Sequence, residues 1–179
     1  LGTVYPTAHV SLMVRGHYQP GESVLVNGAA GGIGLASVQI AKAKGAMVIA
    51  GDISEDKRQL ALQHGADHAI DLSVDDLREN LRHQVFAVTD KMGVDICIDP
   101  IGGDVFDGAL RALAFAGRII TVGYVSGRIP EARANYFNVK NLTLAGISLD
   151  LYFRYQPEVV VAAIADLFDM YIKGQVKPE

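Results

Sequence analysis

The sequence predicts an α/β fold, a doubly wound parallel sheet of six strands in the order 3-2-1-4-5-6 with helices on both faces. Two observations carry this. Short apolar runs alternate with helical segments six times, at about 25 residues per unit, a repeat that specifies parallel strands joined by crossover helices. The runs are also continuously hydrophobic rather than alternating, as strands covered on both faces should be. With 179 residues, 50% of them hydrophobic, the chain can bury one substantial core and is the size of one domain.

Each element has its own signal. Residues 5–15 read as a helix whose Ala8, Val10, Leu12, Met13 and Val14 can pack on the sheet, and Gln19, Pro20 and Gly21 turn the chain into the first strand, 23–27. A helix over 33–44 follows, with Gly45 as its C′ residue. The second strand, 47–51, ends at Asp52; Ser54 is placed to cap a helix over 55–64, and Gly65 to stop it. A short third strand, 68–70, ends in Asp71. Leu77, Leu81, Val85 and Val88 recur at steps of three and four within 74–90, the pattern of an amphipathic surface helix. The fourth strand is 94–98, with Asp99, Pro100, Ile101, Gly102 and Gly103 as its C-terminal turn. A helix over 105–113, a fifth strand over 118–122 and Gly123 come next. Residues 124–138 show no clear period, hold Gly127 and Pro130, and read as a functional loop. A sixth strand, 142–147, and a last helix, 158–172, complete the alternation. There is no internal repeat or low-complexity tract.

Composition excludes several classes. The net charge of -4, with no cluster of Lys or Arg along the chain, argues against a nucleic-acid partner. No apolar stretch approaches the roughly 20 residues of a membrane span, and no basic start with an apolar middle marks a signal peptide; a cytoplasmic setting is expected. The single cysteine, Cys97, allows no internal disulfide and no cysteine cluster for structural zinc. Lying in the apolar run of the fourth strand, it reads as a buried, inert thiol rather than a nucleophile. Because the chain starts at Leu1 without an initiator Met, an N-terminal part is expected to be missing.

The stretch that organises the chain is SVLVNGAAGGIG, from Ser23 to Gly34. Strand, glycine-rich turn and helix in that order let the backbone approach a pyrophosphate, whose charge meets the free N–H groups and dipole of the helix N-terminus. Ala30, Gly31, Gly32, Ile33 and Gly34 are the residues expected to hold it. The spelling is GxxGxxG, because Ala29 stands where a glycine often sits. Asp52 ends the next strand about 20 residues beyond the loop, where a carboxylate can accept both hydroxyls of an adenosine ribose. The competing reading is a turn that merely permits tight strand-to-helix packing, with Asp52 as the N-cap of the following helix.

Five segments then fall in one register: PGESVLVNGAAGGIGLASVQIAKAKGA, GAD, GVDICIDPIGG, AGRIITVG and KNLTLAG. Together they resemble the cofactor domain of the medium-chain dehydrogenase/reductase superfamily, and within it the quinone oxidoreductases. The resemblance covers nearly the whole chain. It implies a Rossmann domain spanning 1–179, the nucleotide half of a two-domain enzyme whose chaperonin-10-like catalytic half lies outside the chain. Catalytic residues and most contacts to the small-molecule substrate would belong to that other half, so no general acid is identifiable here. Ile101, Gly102 and Gly103 after the fourth strand, and Gly123 and Tyr124 after the fifth, would approach the nicotinamide riboside, although Tyr124 reads equally as an aromatic covering the core edge.

Zinc-dependent members of that superfamily carry a cysteine ligand near the position of Gly2 to Tyr5, where no Cys, Asp, Glu or His stands. His9 and His17 lie several residues on, and His64, His68 and His83 are scattered, so no metal site is expected. Hydride would pass from NAD(P)H to a quinone or the β-carbon of an enone without a Lewis acid. Two other readings stay open: the enoyl-reductase domain of a polyketide or fatty-acid synthase, and a non-catalytic dinucleotide-binding relative. On the cofactor, Asp52 would repel a 2′-phosphate, whereas Lys57 and Arg58 could pair with one; the balance favours NAD(H). Finally LTLAGI, with Leu142 and Ile147 at its ends, would form a sheet edge with little charge and no proline, open to a homodimeric partner. The alternative is that residues 148–153 fold back over it.

Overall fold

Strand β1 (Ser23–Asn27) is buried at every position, and the sheet is laid out from it in the computed structural model, which describes residues 2–178. β2 (Met47–Asp52) and β4 (Val94–Asp99) pair with β1 in parallel on either side. β3 (His68–Asp71) lies beyond β2, and β5 (Leu113–Thr121) and β6 (Thr143–Gly146) lie beyond β4, giving the order β3-β2-β1-β4-β5-β6 that the sequence predicts. The helices are α1 (Val4–His9), which continues as a π-helical segment over Val10–Arg15, then α2 (Gly32–Ala43), α3 (Glu55–Gln63), α4 (Leu77–Val88), α5 (Gly103–Ala112), α6 (Ala134–Lys140), α7 (Leu149–Tyr155) and α8 (Pro157–Ile172).

Both faces of the sheet are covered, and β1 shows why its sequence does not alternate in polarity. Val24 and Val26 point into a core built with Leu12, Ile40 and Leu167 from α2, α8 and the N-terminal helix. Leu25 points the other way, into a core with Leu81, Val85 and Phe106 from α4 and α5. Successive side chains of a strand face opposite sides, so a strand with a core on each face must be apolar throughout.

The pairing of β1 with β4 is pinned at both ends by polar groups. At its start, Asp95 Oδ2 accepts from the Ser23 N–H and hydroxyl, each at 2.8 Å, and Ser23 Oγ accepts from the Asp95 N–H at 3.1 Å. At its finish, Asn27 Nδ2 donates to Asp99 Oδ1 at 3.0 Å. Below the sheet, Arg118 donates to Glu22 at 2.7 and 2.8 Å and to the Gly16 carbonyl at 2.9 Å.

Several expectations need correcting. Helix α4 begins at Leu77 rather than 74, because Asp76 is left-handed (φ 43°) and holds the chain in a turn. The stretch 124–138 is not all loop: it contains the start of α6. Residues 148–153 belong mainly to helix α7, which packs against α8. Neither α6 nor α7 has a fully buried residue; α6 rests on the core only through the adjacent, partly exposed Tyr136 and Phe137, too few to show a helical period. β5 starts at Leu113, five residues earlier than expected, through a register shift opposite Val94 and Ile96 and a left-handed Ala116 (φ 58°). Ser54 occupies the N-cap of α3, but its side chain makes no capping bond.

β6 stands at the sheet edge, as expected. Leu144 is 42% exposed, and one of the strand's terminal carbonyls, that of Gly146, accepts from Arg15 Nε at 2.9 Å. Among the described residues, no helix is long and apolar enough to cross a membrane.

Candidate functional site

The glycine-rich turn after β1 is shaped by close approach. Gly28 is left-handed (φ 62°), and a Cβ on Gly34 would sit 2.1 Å from the Gly28 carbonyl oxygen, a distance no side chain tolerates. Helix α2 can therefore start directly beneath the turn. Its N-cap is Gly31, with extended backbone (φ -75°, ψ 168°) and no side-chain cap. The first-turn N–H groups of Gly32, Ile33 and Gly34 are thus left for an anion. Gly31 and Gly32 are exposed, and the turn is closed by the Gly31 N–H donating to the Gly28 carbonyl at 3.0 Å.

Asp52 supports this turn from the next strand. It is buried at 4% exposure; Oδ2 accepts from the Ala30 N–H at 3.0 Å and Oδ1 from the Ile53 N–H at 2.8 Å. A carboxylate offers about four acceptor positions, so two remain for hydroxyl donors. It does not cap α3. Lys57 Nζ approaches Asp52 Oδ1 at 3.8 Å from a half-exposed position, whereas Arg58 is committed elsewhere. The Arg58 guanidinium pairs with Glu55 at 2.8 Å and Asp71 at 2.9 Å, and donates to the Asp52 carbonyl at 3.2 Å. Arg58, with Ser73, also holds the Asp71 carboxyl below its ordinary range, the Ser73 hydrogen bonds being the larger cause.

The second group of predicted residues lies across the β1–β4 junction at the same C-terminal edge. The turn after β4 and the loop after β5 are joined backbone to backbone: Val125 N–H donates to Pro100 O at 3.1 Å, Ser126 N–H to Ile101 O at 3.0 Å, and Gly103 N–H to Arg128 O at 3.1 Å. Gly102 and Gly103 are both left-handed, and a Cβ on either would strike this loop, at Arg128 O (2.9 Å) or Ser126 Oγ (2.8 Å). Tyr124 stands 44% exposed beside Gly102. Gly123 lies against the Pro100 carbonyl, and the Ile101 side chain fills the space over Gly28. The structure thus brings Ile101, Gly102, Gly103, Gly123 and Tyr124 together and sets Ile101 against the glycine turn. Asp52 and Lys57 stand on the β2 side of the same turn, so the predicted residues gather at the strand ends where strand order reverses, the position at which doubly wound sheets bind ligands.

Sequence reasoning missed one residue that organises this region. Asp99, wholly buried, accepts from Asn27 Nδ2 (3.0 Å) and the Ile101 N–H (3.2 Å) on Oδ1, and from the Gly102 N–H (3.1 Å) on Oδ2. Burial pushes its carboxyl above the ordinary range, against the pull of these bonds. The signal was present: Asn27 and Asp99 each close a mainly apolar strand at a buried position, and a polar residue there needs a partner. Asn27 also donates to Cys97 Sγ at 3.6 Å, while its own Oδ1 is buried without a partner. Cys97 is buried, and burial followed by the nearby Asp99 charge drives its thiol far up, which makes it inert.

His9 is a buried residue satisfied on one side of its ring only, its Nδ1 having no partner. Its Nε2 meets Asp166 Oδ2 at 2.7 Å, and Lys44 Nζ reaches the same carboxylate at 2.7 Å, so one acid ties the N-terminal helix and α2 to α8. Burial lowers the His9 pKa. Among the described residues no three His, Cys, Asp or Glu side chains come together as a metal site.

Comparison with known proteins agrees with this geometry. Residues 32–169 match the family model described as zinc-binding dehydrogenase. The chain is 37% identical over 175 residues to quinone oxidoreductase-like protein 2 of Bos taurus, covering 97% of this chain and 49% of that protein. It superimposes on the Escherichia coli quinone oxidoreductase complexed with NADPH with a TM-score of 0.86 and 28% identity, over 98% of this chain and 53% of that one. It also matches the nucleotide-binding subdomain of the enoylreductase domain of PpsC from Mycobacterium tuberculosis, with a TM-score of 0.83 and 27% identity, over 99% and 97% of the two chains. The chain spans about half the length of the curated relatives it matches. With its sheet order, glycine turn and paired strand-end loops, it belongs to the zinc-binding dehydrogenase family, as a cofactor-binding domain of the medium-chain, quinone oxidoreductase-like type.

Proposed function

We propose that this chain is the nucleotide-binding part of an oxidoreductase that passes hydride from a nicotinamide dinucleotide to a quinone or an α,β-unsaturated carbonyl, without zinc. The observation that carries the reading is the pairing of an uncapped, glycine-wrapped helix N-terminus with Asp52 at one end of a crevice and the Ile101–Tyr124 loop pair at the other. Gly32, Ile33 and Gly34 would bind the pyrophosphate, Asp52 the adenosine ribose, and Gly102, Gly103, Gly123 and Tyr124 would flank the nicotinamide riboside. The cofactor supplies the hydride, and the protein fixes its position and excludes water. The absence of Cys, His, Asp or Glu from residues 2–5 supports the zinc-independent reading. No catalytic residue is assigned within this chain; substrate contacts would come from the chaperonin-10-like half.

For the cofactor we favour NAD(H). Asp52 stands at the ribose end with acceptor positions left for hydroxyls, Arg58 is held by Glu55 and Asp71, and Lys57 leans on Asp52 itself. The NADPH bound by the E. coli relative makes the opposite preference the direct competitor. Calorimetric titration of the chain with NADH and NADPH tests both points: saturable binding of NADH, about tenfold tighter than NADPH, is expected, and no binding of either overturns the assignment. The enoyl-reductase reading rests on the PpsC subdomain, which matches this chain end to end.

We further propose a homodimer, set in the cytoplasm; the exposed edge of β6 supports pairing of two such edges across a two-fold axis. Leu144→Lys should weaken such a dimer. Light scattering that shows a monomer well above micromolar concentration for the unaltered chain overturns the pairing.

A further inference from the structure

Away from the crevice, α4, α5 and α6 enclose a cleft whose charge runs against that of the molecule. The chain carries a net charge of -4 and 16 Lys and Arg, yet Arg78, Arg82, Arg111, Arg128, Arg133 and Lys140 all line two adjoining cavities of about 410 and 220 Å³. These residues are scattered along the sequence, so only the packing of three helices brings them together. Leu110 and Tyr136 belong to both cavities and join them.

The partners of these cations divide them into two groups. Glu79 pairs with Arg111 and, at 3.4 Å, with Arg82. Asp104 and Asp107 both take Arg128, at 2.8 and 2.7 Å. Lys140 donates to the Leu113 carbonyl at 2.7 Å and the Arg111 carbonyl at 3.2 Å. Arg78 and Arg133, on the rim of the larger cavity, have no carboxylate partner among the described residues, although Glu131 lines the same cavity. Arg78 instead donates to the Tyr136 hydroxyl at 2.6 Å. That contact, and a second from Arg111, hold the Tyr136 phenol below its ordinary pKa, so its oxygen is an acceptor crowded by donors. Arg111 Nε is buried with no acceptor at all. Buried donors in native proteins are nearly always satisfied, and Arg78 and Arg133, exposed on the same cavity, lack the acceptor they are shaped for: a planar fork matches the oxygens of phosphate or carboxylate.

We propose that this cleft is a second ligand site, which takes a phosphomonoester with an apolar body. The phosphoryl oxygens would lie between Arg78, Arg133 and the Tyr136 hydroxyl in the larger cavity. The apolar body would enter the smaller one, against Leu110, Val139 and Leu142. None of the dinucleotide-site residues Ala30 to Gly34, Asp52, Ile101 to Gly103, Gly123 or Tyr124 lines either cavity, so the two sites are separate and the inference stands without the proposed hydride-transfer function.

Phenyl phosphate is the probe. Calorimetric titration of the full chain should show saturable one-to-one binding in the range of about 1 mM or tighter, with inorganic phosphate and benzoate each about tenfold weaker. Binding should weaken with added salt. The double variant Arg78→Gln/Arg133→Gln alters exposed side chains and should keep its fold by circular dichroism while losing about tenfold in affinity; Tyr136→Phe should lose less. Saturating NADH should leave the phenyl phosphate affinity unchanged. The site is overturned by absence of saturation at about ten times the expected dissociation constant, or by equal binding to the double variant. Competition with NADH overturns it too, since the phosphate would then occupy the glycine turn, and benzoate binding as tightly as phenyl phosphate overturns the dianionic head.

Discussion

Asp52 and Asp99 occupy equivalent places, each the last residue of a buried parallel strand and each binding the backbone of a turn, yet their surroundings differ. Asp52 holds one N–H of the glycine turn and one of its own neighbour, with Lys57 at 3.8 Å. Asp99 is wholly buried, holds two N–H groups of the Pro100–Gly103 turn and an amide, and has no cation paired with it among the described residues. The first carboxylate keeps free acceptor positions at the mouth of a crevice; the second spends its acceptors on the chain itself. A strand-end acid can thus serve as a ligand contact or as a latch for a loop, and its hydrogen-bond partners tell the two apart.

Breaking the latch should have the largest effect. Asp99→Ala leaves the Asn27 amide with only its Cys97 Sγ contact and the Ile101 and Gly102 N–H groups unpaired, and should cost about 3 kcal/mol or more in stability, read as the urea midpoint. It should also change the pH profile. The folded carboxyl is raised above its unfolded value of about 4, so its contribution is greatest below that value and declines as pH rises through the elevated folded pKa; the variant should lose this decline. A profile identical to that of the unaltered chain would show that Asp99 stays charged throughout.

Next comes Gly34→Ala, which puts a methyl group against the Gly28 carbonyl. The turn must shift, at about 1–3 kcal/mol, and NADH binding should fall about a hundredfold. Unchanged affinity would mean that the turn is packing rather than a binding element. Asp52→Ser should be milder in stability and sharper in specificity, moving the NADPH-to-NADH affinity ratio about tenfold toward NADPH. If both cofactors weaken equally, Asp52 supports the turn without reading the ribose.

The smallest effect lies outside the crevice. His9 is kept neutral by burial, so its folded pKa is lowered and its share of stability is present above about 6.5 and is lost as pH falls through that value. Asp166, also lowered, chiefly by Lys44 and His9 working against the cost of burial, adds a further loss at still lower pH. Denaturant midpoints at pH 7.5 and 5.5 should differ by less than about 1 kcal/mol through His9, and His9→Gln should reduce the difference without touching cofactor affinity.

How much of this was legible depended on burial. β1, wholly buried, was read to the residue, and so was the sheet order, because continuous apolar runs report strands with a core on each side. α6 was invisible: it buries no residue fully, packs only the partly exposed Tyr136 and Phe137 against the core, and ends in a left-handed Asn141 (φ 54°) with the Leu142 N–H bonded to the Phe137 carbonyl at 2.9 Å. The early start of β5 was hidden by exposed Phe115 and Ala116, which look like a loop. In the site, the glycine turn was read from spacing. The latch was not, since Asp99 became meaningful only when Asn27, 72 positions earlier, was placed beside it.

That separation bears on how the sheet is assembled. Between β1 and β4 the chain makes α2, β2, α3, β3 and α4, and closing a loop of that length costs about 4 kcal/mol of chain entropy before any contact compensates. A strand that returns from so far must also choose its alignment, and a slip of one residue would turn Ile96 and Cys97 to the wrong cores. Asp95 on Ser23 and Asp99 on Asn27, one at each end of the pair, accept only one alignment. Two acids in otherwise oily strands therefore act as alignment marks in the search for the fold, favouring the correct junction of its two halves when the slowest, most distant pairing forms.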